Sequence, residues 1–555
     1  PQTPNPKPQT PNPKPLVMLQ KVGFIILWLV CISHAKMNIY LDFEDADYGF
    51  SSDQGELAAR YVTARKSLYS VVKYFSTLLT VKYQDSTQLV SEAFVTPQTK
   101  KLATRRVFKD LGNGSASTPD LYIYVDLYNN PEDTITTMGT IHGTHPKTGR
   151  PITGCLTMNL ALVADSGQAI YQYFGVIAFD VFKILVFDKS IFETFKSTSD
   201  GITSISKSTN FKSAAWTPVS KNRDFCISST AIQSFASAFG TGFNSINSNG
   251  AILLEDEGGS YYSMNSLEKA LYPNDFLNPT EEIPNLLSKG SLSIAVDSGW
   301  YTLDTSFSSY FQDVFYGRST STAPGAADNT FGASTCLPAS TEGKCSTQGQ
   351  KGCSLDGLYK TNCKTNEYSG DCLYESGTEY CFLSLADKSD GSKDYETRIP
   401  GARCVLTKKS SETDYVPTCL KVDTSTATTS TSIKFTIENA AVECTTADEL
   451  KSSASGQINI KCPSNPTIFA YRWGLACTND CSGNGLCLYS TITSEQGTSP
   501  GQGSCFCFYG WTGTDCSTAV SSEPTNPITW SLMNTFVRHG MIISSSILFV
   551  LFFIE

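Results

Sequence analysis

Histidine is scarce. Four occur in 555 residues, and only His142 and His145 lie between Lys36 and Asn534. A catalytic zinc takes about three protein ligands, usually imidazoles, plus a water, with a carboxylate as base. A three-histidine centre therefore cannot be assembled. The spacing Cys-x-x-Cys occurs nowhere, which argues against a zinc cluster of cysteines. No basic cluster offsets the net charge of −10, so nothing invites nucleic acid. Cysteine is missing between Ala35 and Gly154. The first apolar run, Val22–Ile32, is about half the length that a membrane span of ~20 residues needs.

What is present describes a folded, exported chain. Apolar residues make up 40% and aromatics 11%, which excludes a mostly disordered protein. The length allows several domains and a sizeable core. Nineteen cysteines occur, and setting aside Cys31 in a removable segment leaves eighteen. Ten fall in Cys336–Cys462 and six in Cys477–Cys516. Dense cysteines in even number argue for disulfides and an oxidising compartment.

Residues 1–17 open with a Pro-rich repeat that builds no core, and read as upstream or disordered sequence. Met18, Lys21, the apolar run and Ser33-His34-Ala35 make 18–35 a secretory signal. Apolar residues at three-to-four spacing predict a helix over Leu57–Leu79. Asp120–Asp126 alternates and reads as a strand. His142 and His145 fall in the connection that follows and read as exposed loop residues, with Asp133 the nearest upstream carboxylate. Ala169–Phe187 is apolar on every side and predicts a buried helix. Its charges Asp180 and Lys183 lie three apart on one face, which predicts a local ion pair.

Four blocks together resemble the leishmanolysin family, surface zinc peptidases of the metzincin type. Asp120-Leu-Tyr-Ile is followed by Thr148-Gly-Arg-Pro-Ile-Thr-Gly154 and a strand over Leu156–Leu160, which the resemblance makes an edge strand. Phe179–Val186 then occupies the place of the family's H-E-x-x-H helix. The block Leu253–Leu271 resembles the one that carries the third zinc ligand, and Ser291–Tyr301 the one that carries the methionine beneath the metal. The resemblance implies an α+β, zincin-like unit over 36–330. It places the ligand positions at Phe179, Lys183 and Ser266, the catalytic Glu at Asp180 and the methionine at Leu292. Every residue that the chemistry needs is changed, while the packing letters persist. The pro-region cysteine that silences family zymogens is also missing, as suits a site with nothing to silence.

The region 331–465 reads as Cys-rich and mainly β. Within 470–518 the spacing is Cys477-x3-Cys481-x5-Cys487, then Cys505-x-Cys507-x8-Cys516 with Gly510-Trp511-Thr512-Gly513 before the last. This resembles an EGF-like module. The resemblance implies the pairs 477–487, 481–505 and 507–516, and either an adhesive role or a small disulfide knob without a partner.

A linker over 519–539 leads to the apolar tail 540–555, which reads as a GPI signal or a membrane anchor. Ser517, Ser521 and Ser522 are candidate attachment residues. The expected protein is a cell-surface homologue of the leishmanolysin metalloendopeptidases, catalytically inactive, needing no cofactor and acting in adhesion or binding. Its expected partners are an unknown protein or cell-surface ligand, and a membrane through the tail. The alternative is an active zinc peptidase with non-standard ligands. A surface antigen whose ectodomain has no ligand fits the same sequence.

Overall fold

A computed structural model describes residues 36–43, 55–83, 93–96, 98–99, 102–104, 119–163, 170–205, 211–216, 221–226, 230–231, 233–234, 252–254, 266–267, 275–277, 287–304, 351–353, 359–365, 372–380, 402–422, 432–438, 440–445, 449–462, 477–488 and 503–520. The signal segment 18–35 and the tail 540–555 lie outside these residues, as do 1–17 and all of the linker beyond Val520.

The fold is mixed α/β, with much sheet. In the N-terminal part, β1 (Ile39–Asp42) precedes α1 (Glu56–Leu78), which runs directly into β2 (Leu79–Val81). A short hairpin, β3 (Ala93–Val95) and β4 (Leu102–Thr104), is followed by β5 (Leu121–Tyr128), β6 (Thr137–Thr144) and β7 (Pro151–Asn159). The helix α2 (Ile170–Leu185) leads to a single turn, α3 (Lys189–Phe192). After β8 (Phe211–Trp216), β9 (Lys221–Cys226) and β10 (Ile252–Leu253) come α4 (Lys289–Asp297) and β11 (Tyr301–Leu303).

The main sheet has the order β1-β5-β7-β6. β1, β5 and β7 are parallel and β6 is the antiparallel edge. The expected edge strand at 156–160 is therefore an inner one. Its backbone is paired on both sides, and its residues Pro151–Asn159 are buried throughout. Strand alternation assigns the two faces. Leu121, Ile123, Val125 and Leu127 join the large core, while Tyr122 and Tyr124 form a smaller cluster with Cys155 on the other face.

Both α1 and α2 pack on the core face. α1 contributes Ala64, Leu68, Val71, Val72, Phe75 and Leu78, at the spacing that brings side chains onto one stripe. Its hydroxyl residues tolerate this position because they bond their own helix. Ser67 donates to the Thr63 carbonyl and Ser70 to that of Lys66, each at 2.8 Å.

The C-terminal part holds two sheets and a small module. β12 (Lys351–Cys353), β13 (Tyr359–Thr365) and β14 (Cys372–Tyr380) form one antiparallel sheet. β15 (Ala402–Lys409), β16 (Val416–Val422), β17 (Ile433–Ile437), β18 (Ala440–Cys444), β19 (Leu450–Ser452) and β20 (Ile458–Lys461) form another, ordered β18-β17-β16-β15-β20-β19. A bridge from Cys444 to Cys462 ties the end of β18 to the residue after β20.

In the module, β21 (Gly485–Leu488) pairs with β22 (Ser504–Cys507). Its bridges are Cys477–Cys487, Cys481–Cys505 and Cys507–Cys516, the pairs that the EGF-like spacing implies. The module is not a free knob. Leu486, Leu488, Phe506, Phe508 and Tyr509 belong to the N-terminal core. Phe506 meets Tyr74 edge-on, Phe508 lies against Phe174, and Tyr509 stacks on Tyr69. Lys73 donates to the Cys507 carbonyl at 2.8 Å, and the Tyr509 amide donates to Ser70.

Candidate functional site

The positions that the resemblance assigns to two of the ligands and to the base, Phe179, Asp180 and Lys183, lie on α2, and all three are buried. Phe179 is a core residue. Asp180 and Lys183 are 1% and 3% exposed, so their charges sit in the interior. The Asp180 carboxylate is held by the edge strand. Its Oδ1 accepts from the Gly139 amide at 2.9 Å and its Oδ2 from the Thr137 hydroxyl. Gly139 permits the approach, because a Cβ there would stand 2.5 Å from the Asp180 carbonyl oxygen.

Lys183 is not locked to Asp180 alone. Its Nζ lies 4.0 Å from Asp188 Oδ2, just beyond the helix end. Burial pushes the Lys183 ammonium below the usual lysine range, and the charges of Asp180 and Asp188 oppose that shift. The predicted local pair is thus part of a wider arrangement in which strand β6 and Asp188 share the work. Thr137, Gly139 and Asp188 were not legible as site residues. The one available signal was the glycine in Thr137-Met-Gly139, since a strand glycine often marks a close approach.

Ser266 is fully buried, and the following amide, that of Leu267, donates to the Leu277 carbonyl at 2.8 Å. Phe276, beside Leu277, packs edge-on against Phe182 of α2 at 5.2 Å between centroids. The residues 266–267 and 275–277 are thereby tied to α2. Leu292 is buried inside α4, a regular helix capped by the Ser288 side chain.

Residues of the blocks that carry the resemblance do meet. Trp300 Nε1 donates to the Thr148 carbonyl at 3.0 Å, and the Tyr301 hydroxyl reaches the Leu185 carbonyl at the end of α2. Arg150 Nη1 donates to the Asp120 carbonyl at 2.7 Å. Gly149 and Gly299 both have positive φ, 74° and 79°. A Cβ at Gly299 would stand 2.3 Å from the Lys196 carbonyl oxygen. Asp297 accepts from the amides of Thr230 and Ala231. These residues serve as cross-links of the N-terminal part.

His142 and His145 are not exposed loop residues. His142 lies on β6 with its Nε2 3.2 Å from the Thr140 hydroxyl. His145 is buried in the turn after it, where its Nδ1 accepts from the amides of Lys147 and Thr148 at 3.3 Å. An acceptor at Nδ1 shapes the turn over 146–148. The buried thiol of Cys155 is pushed far up by desolvation, which removes it as a nucleophile. Cys477, Cys481 and Cys505 also cluster, but their sulfurs are in bridges.

The donors do not fit zinc. Phe179 has no lone pair, the Lys183 ammonium repels a dication, and both Asp180 oxygens already accept hydrogen bonds. Neither a scan against protein-family models nor a search of curated proteins finds a match for this chain.

Proposed function

We propose that the chain is a non-catalytic, cell-surface relative of the leishmanolysin peptidases that binds or spaces rather than hydrolyses. The observation that carries this reading is the commitment of Asp180 to β6 beside the buried ammonium of Lys183. At ~4 Å and an effective dielectric near 20, that ammonium would oppose a divalent ion by several kcal/mol. The carboxylate at the base position is also one methylene shorter than Glu, and a misplacement of about an ångström is costly in catalysis.

The zincin-like assignment draws support from placement. The strand β5, the block Thr148–Gly154 that leads into β7, and the helix α2 follow one another as the family's blocks do. Residues near Ser266 also approach α2 through Phe276. Anchorage through 540–555, and a protein or cell-surface ligand as partner, belong to the same proposal.

The test is the metal content of the purified ectodomain beside a casein-type proteolysis assay. We expect far less than stoichiometric zinc after dialysis against a weak chelator, and no cleavage. Stoichiometric zinc that survives dialysis, with cleavage that a strong chelator abolishes, would sink the proposal.

A further inference from the structure

Four successive residues of the disulfide module, Asn479 to Ser482, have left-handed backbone, with φ of 51°, 48°, 49° and 52°. Asn and Asp enter this region readily, whereas Cys481 and Ser482 do so against the clash of Cβ with the following carbonyl oxygen. Such a run persists only where its surroundings impose it. Two neighbouring side chains tether this one to different parts of the molecule. Asp480 accepts two hydrogen bonds from the buried guanidinium of Arg403, on β15 of the six-stranded sheet. Cys481, also buried, is bridged to Cys505 of β22.

The Cys481–Cys505 bridge therefore stands between two docked faces. On its one side Asp480 meets the sheet. On its other side Phe506, Phe508 and Tyr509, just after Cys505, lie against α1 and α2. The bridges also differ in access. Both ends of Cys477–Cys487 and of Cys444–Cys462 are buried. Cys505 and Cys507 are only partly buried, so a thiolate can reach one sulfur of Cys481–Cys505 and one of Cys507–Cys516. Cys516 has positive φ, 57°, but its neighbours do not, while Cys481 anchors a run of four. Bridges that are both accessible and strained are the ones that thiols open first.

We propose that Cys481–Cys505 is a thiol–disulfide exchange site, opened by a dithiol, that latches the module to the six-stranded sheet. A thiolate of the dithiol attacks Cys505 Sγ, and the Cys481 sulfur leaves. The second sulfur of the dithiol then attacks the first, and the Cys505 sulfur leaves. The dithiol ends as a disulfide, two electrons have passed to the bridge, and the two protons of the dithiol rest on Cys481 and Cys505. The run then relaxes out of the left-handed region and carries Asp480 away from Arg403. Cys477–Cys487 and Cys507–Cys516 stay closed, so the module keeps its place on α1 and α2 while its hold on Arg403 is lost.

Graded dithiothreitol on the native full chain tests this, with alkylation of the freed thiols and peptide mapping. Label should appear on Cys481 and Cys505 together, at a concentration about threefold or more below that which labels Cys507 and Cys516. In the form opened at this one bridge, Arg403 should become reactive to a dicarbonyl reagent that does not reach it in the closed form. Hydrogen exchange should quicken over 478–484 and stay unchanged over 69–74. Ser482→Gly accepts the positive φ without a Cβ and leaves every cysteine in place, so its bridge should need about threefold more dithiothreitol to open. Earlier labelling of Cys507 and Cys516, simultaneous labelling of all six module cysteines, an unreactive Arg403 in the opened form, or opening of Ser482→Gly at the wild-type concentration would each overturn the latch.

Discussion

The N-terminal part and the disulfide module solve the same problem in opposite ways. The first buries a large apolar core made by two helices against one face of a sheet, and its cysteine Cys155 remains a thiol. The second has an interior of its own that consists of cysteines, with Trp511 packed beside them. A segment this small cannot bury enough apolar surface to hold itself, so bridges take over. Its remaining apolar residues are then free to face outward, and five of them complete the core of the larger part. A module that would be a spacer by its spacing is here a structural wall of α1 and α2.

Reduction should separate the two regions most. Removing a native bridge from a small exported domain costs roughly 2–5 kcal/mol, and three are at stake. Under a reductant, exchange protection should vanish over 477–488 and 503–519 and fall along Tyr69–Tyr74, where the module docks. β5 and β7 should keep theirs. Simultaneous loss in those strands would mean that the two parts unfold as one unit, and the contrast between them would fail.

The next effect concerns what fixes the module to the six-stranded sheet. Arg403 and Asp480 are 1% and 2% exposed and meet through two bonds, of 2.9 and 3.0 Å. Asp480 sits in a run of four residues with φ near +50°, Asn479 to Ser482. Each such residue costs about 1 kcal/mol or more, so something must hold the run. The bridge at Cys481 and this ion pair do so. Arg403→Met should destabilise by about 3–5 kcal/mol, because it removes the guanidinium that a buried carboxylate faces through two hydrogen bonds. Arg403→Met with Asp480→Leu should cost much less. Chemical denaturation of both variants checks the difference. Equal losses would show that the pair matters for packing rather than charge.

Much of this was legible from the chain. The helix over 56–78 follows from apolar spacing, that over 170–185 from a run that is apolar on every side, and the strand over 121–128 from alternation. β6 was hidden because Thr137-Met-Gly-Thr-Ile-His-Gly-Thr144 has two glycines and little apolar content, the marks of a loop. It is a strand because an edge needs one covered face, and because Gly139 allows α2 to come close. The burial of His145 was equally hidden, since it depends on a turn rather than a periodic pattern. Docking of the module was out of reach, because Phe506 and Tyr509 gain their meaning from residues more than 400 positions away.

The smallest effect sharpens the contrast in how the two parts treat buried charge. Arg403 and Asp480 close on each other, whereas Asp180 and Lys183 each lean on a third group. As two members of one buried pair, either substitution on α2 would cost about the same. The geometry separates them. Asp180→Leu strips an acceptor from the Gly139 amide and the Thr137 hydroxyl at a buried edge, and should destabilise by roughly 2–3 kcal/mol. Lys183→Met removes a charge that burial already disfavours. It leaves Asp188, whose side chain is 17% exposed and can hydrate, and Asp180, which keeps its two donors. The expected change is below about 1 kcal/mol in either direction, as for ion pairs that water reaches. Urea denaturation of the two single variants decides between these accounts. A Lys183→Met loss as large as that of Asp180→Leu would mean that α2 carries a closed pair after all, and that both parts of the molecule neutralise buried charge in the same way.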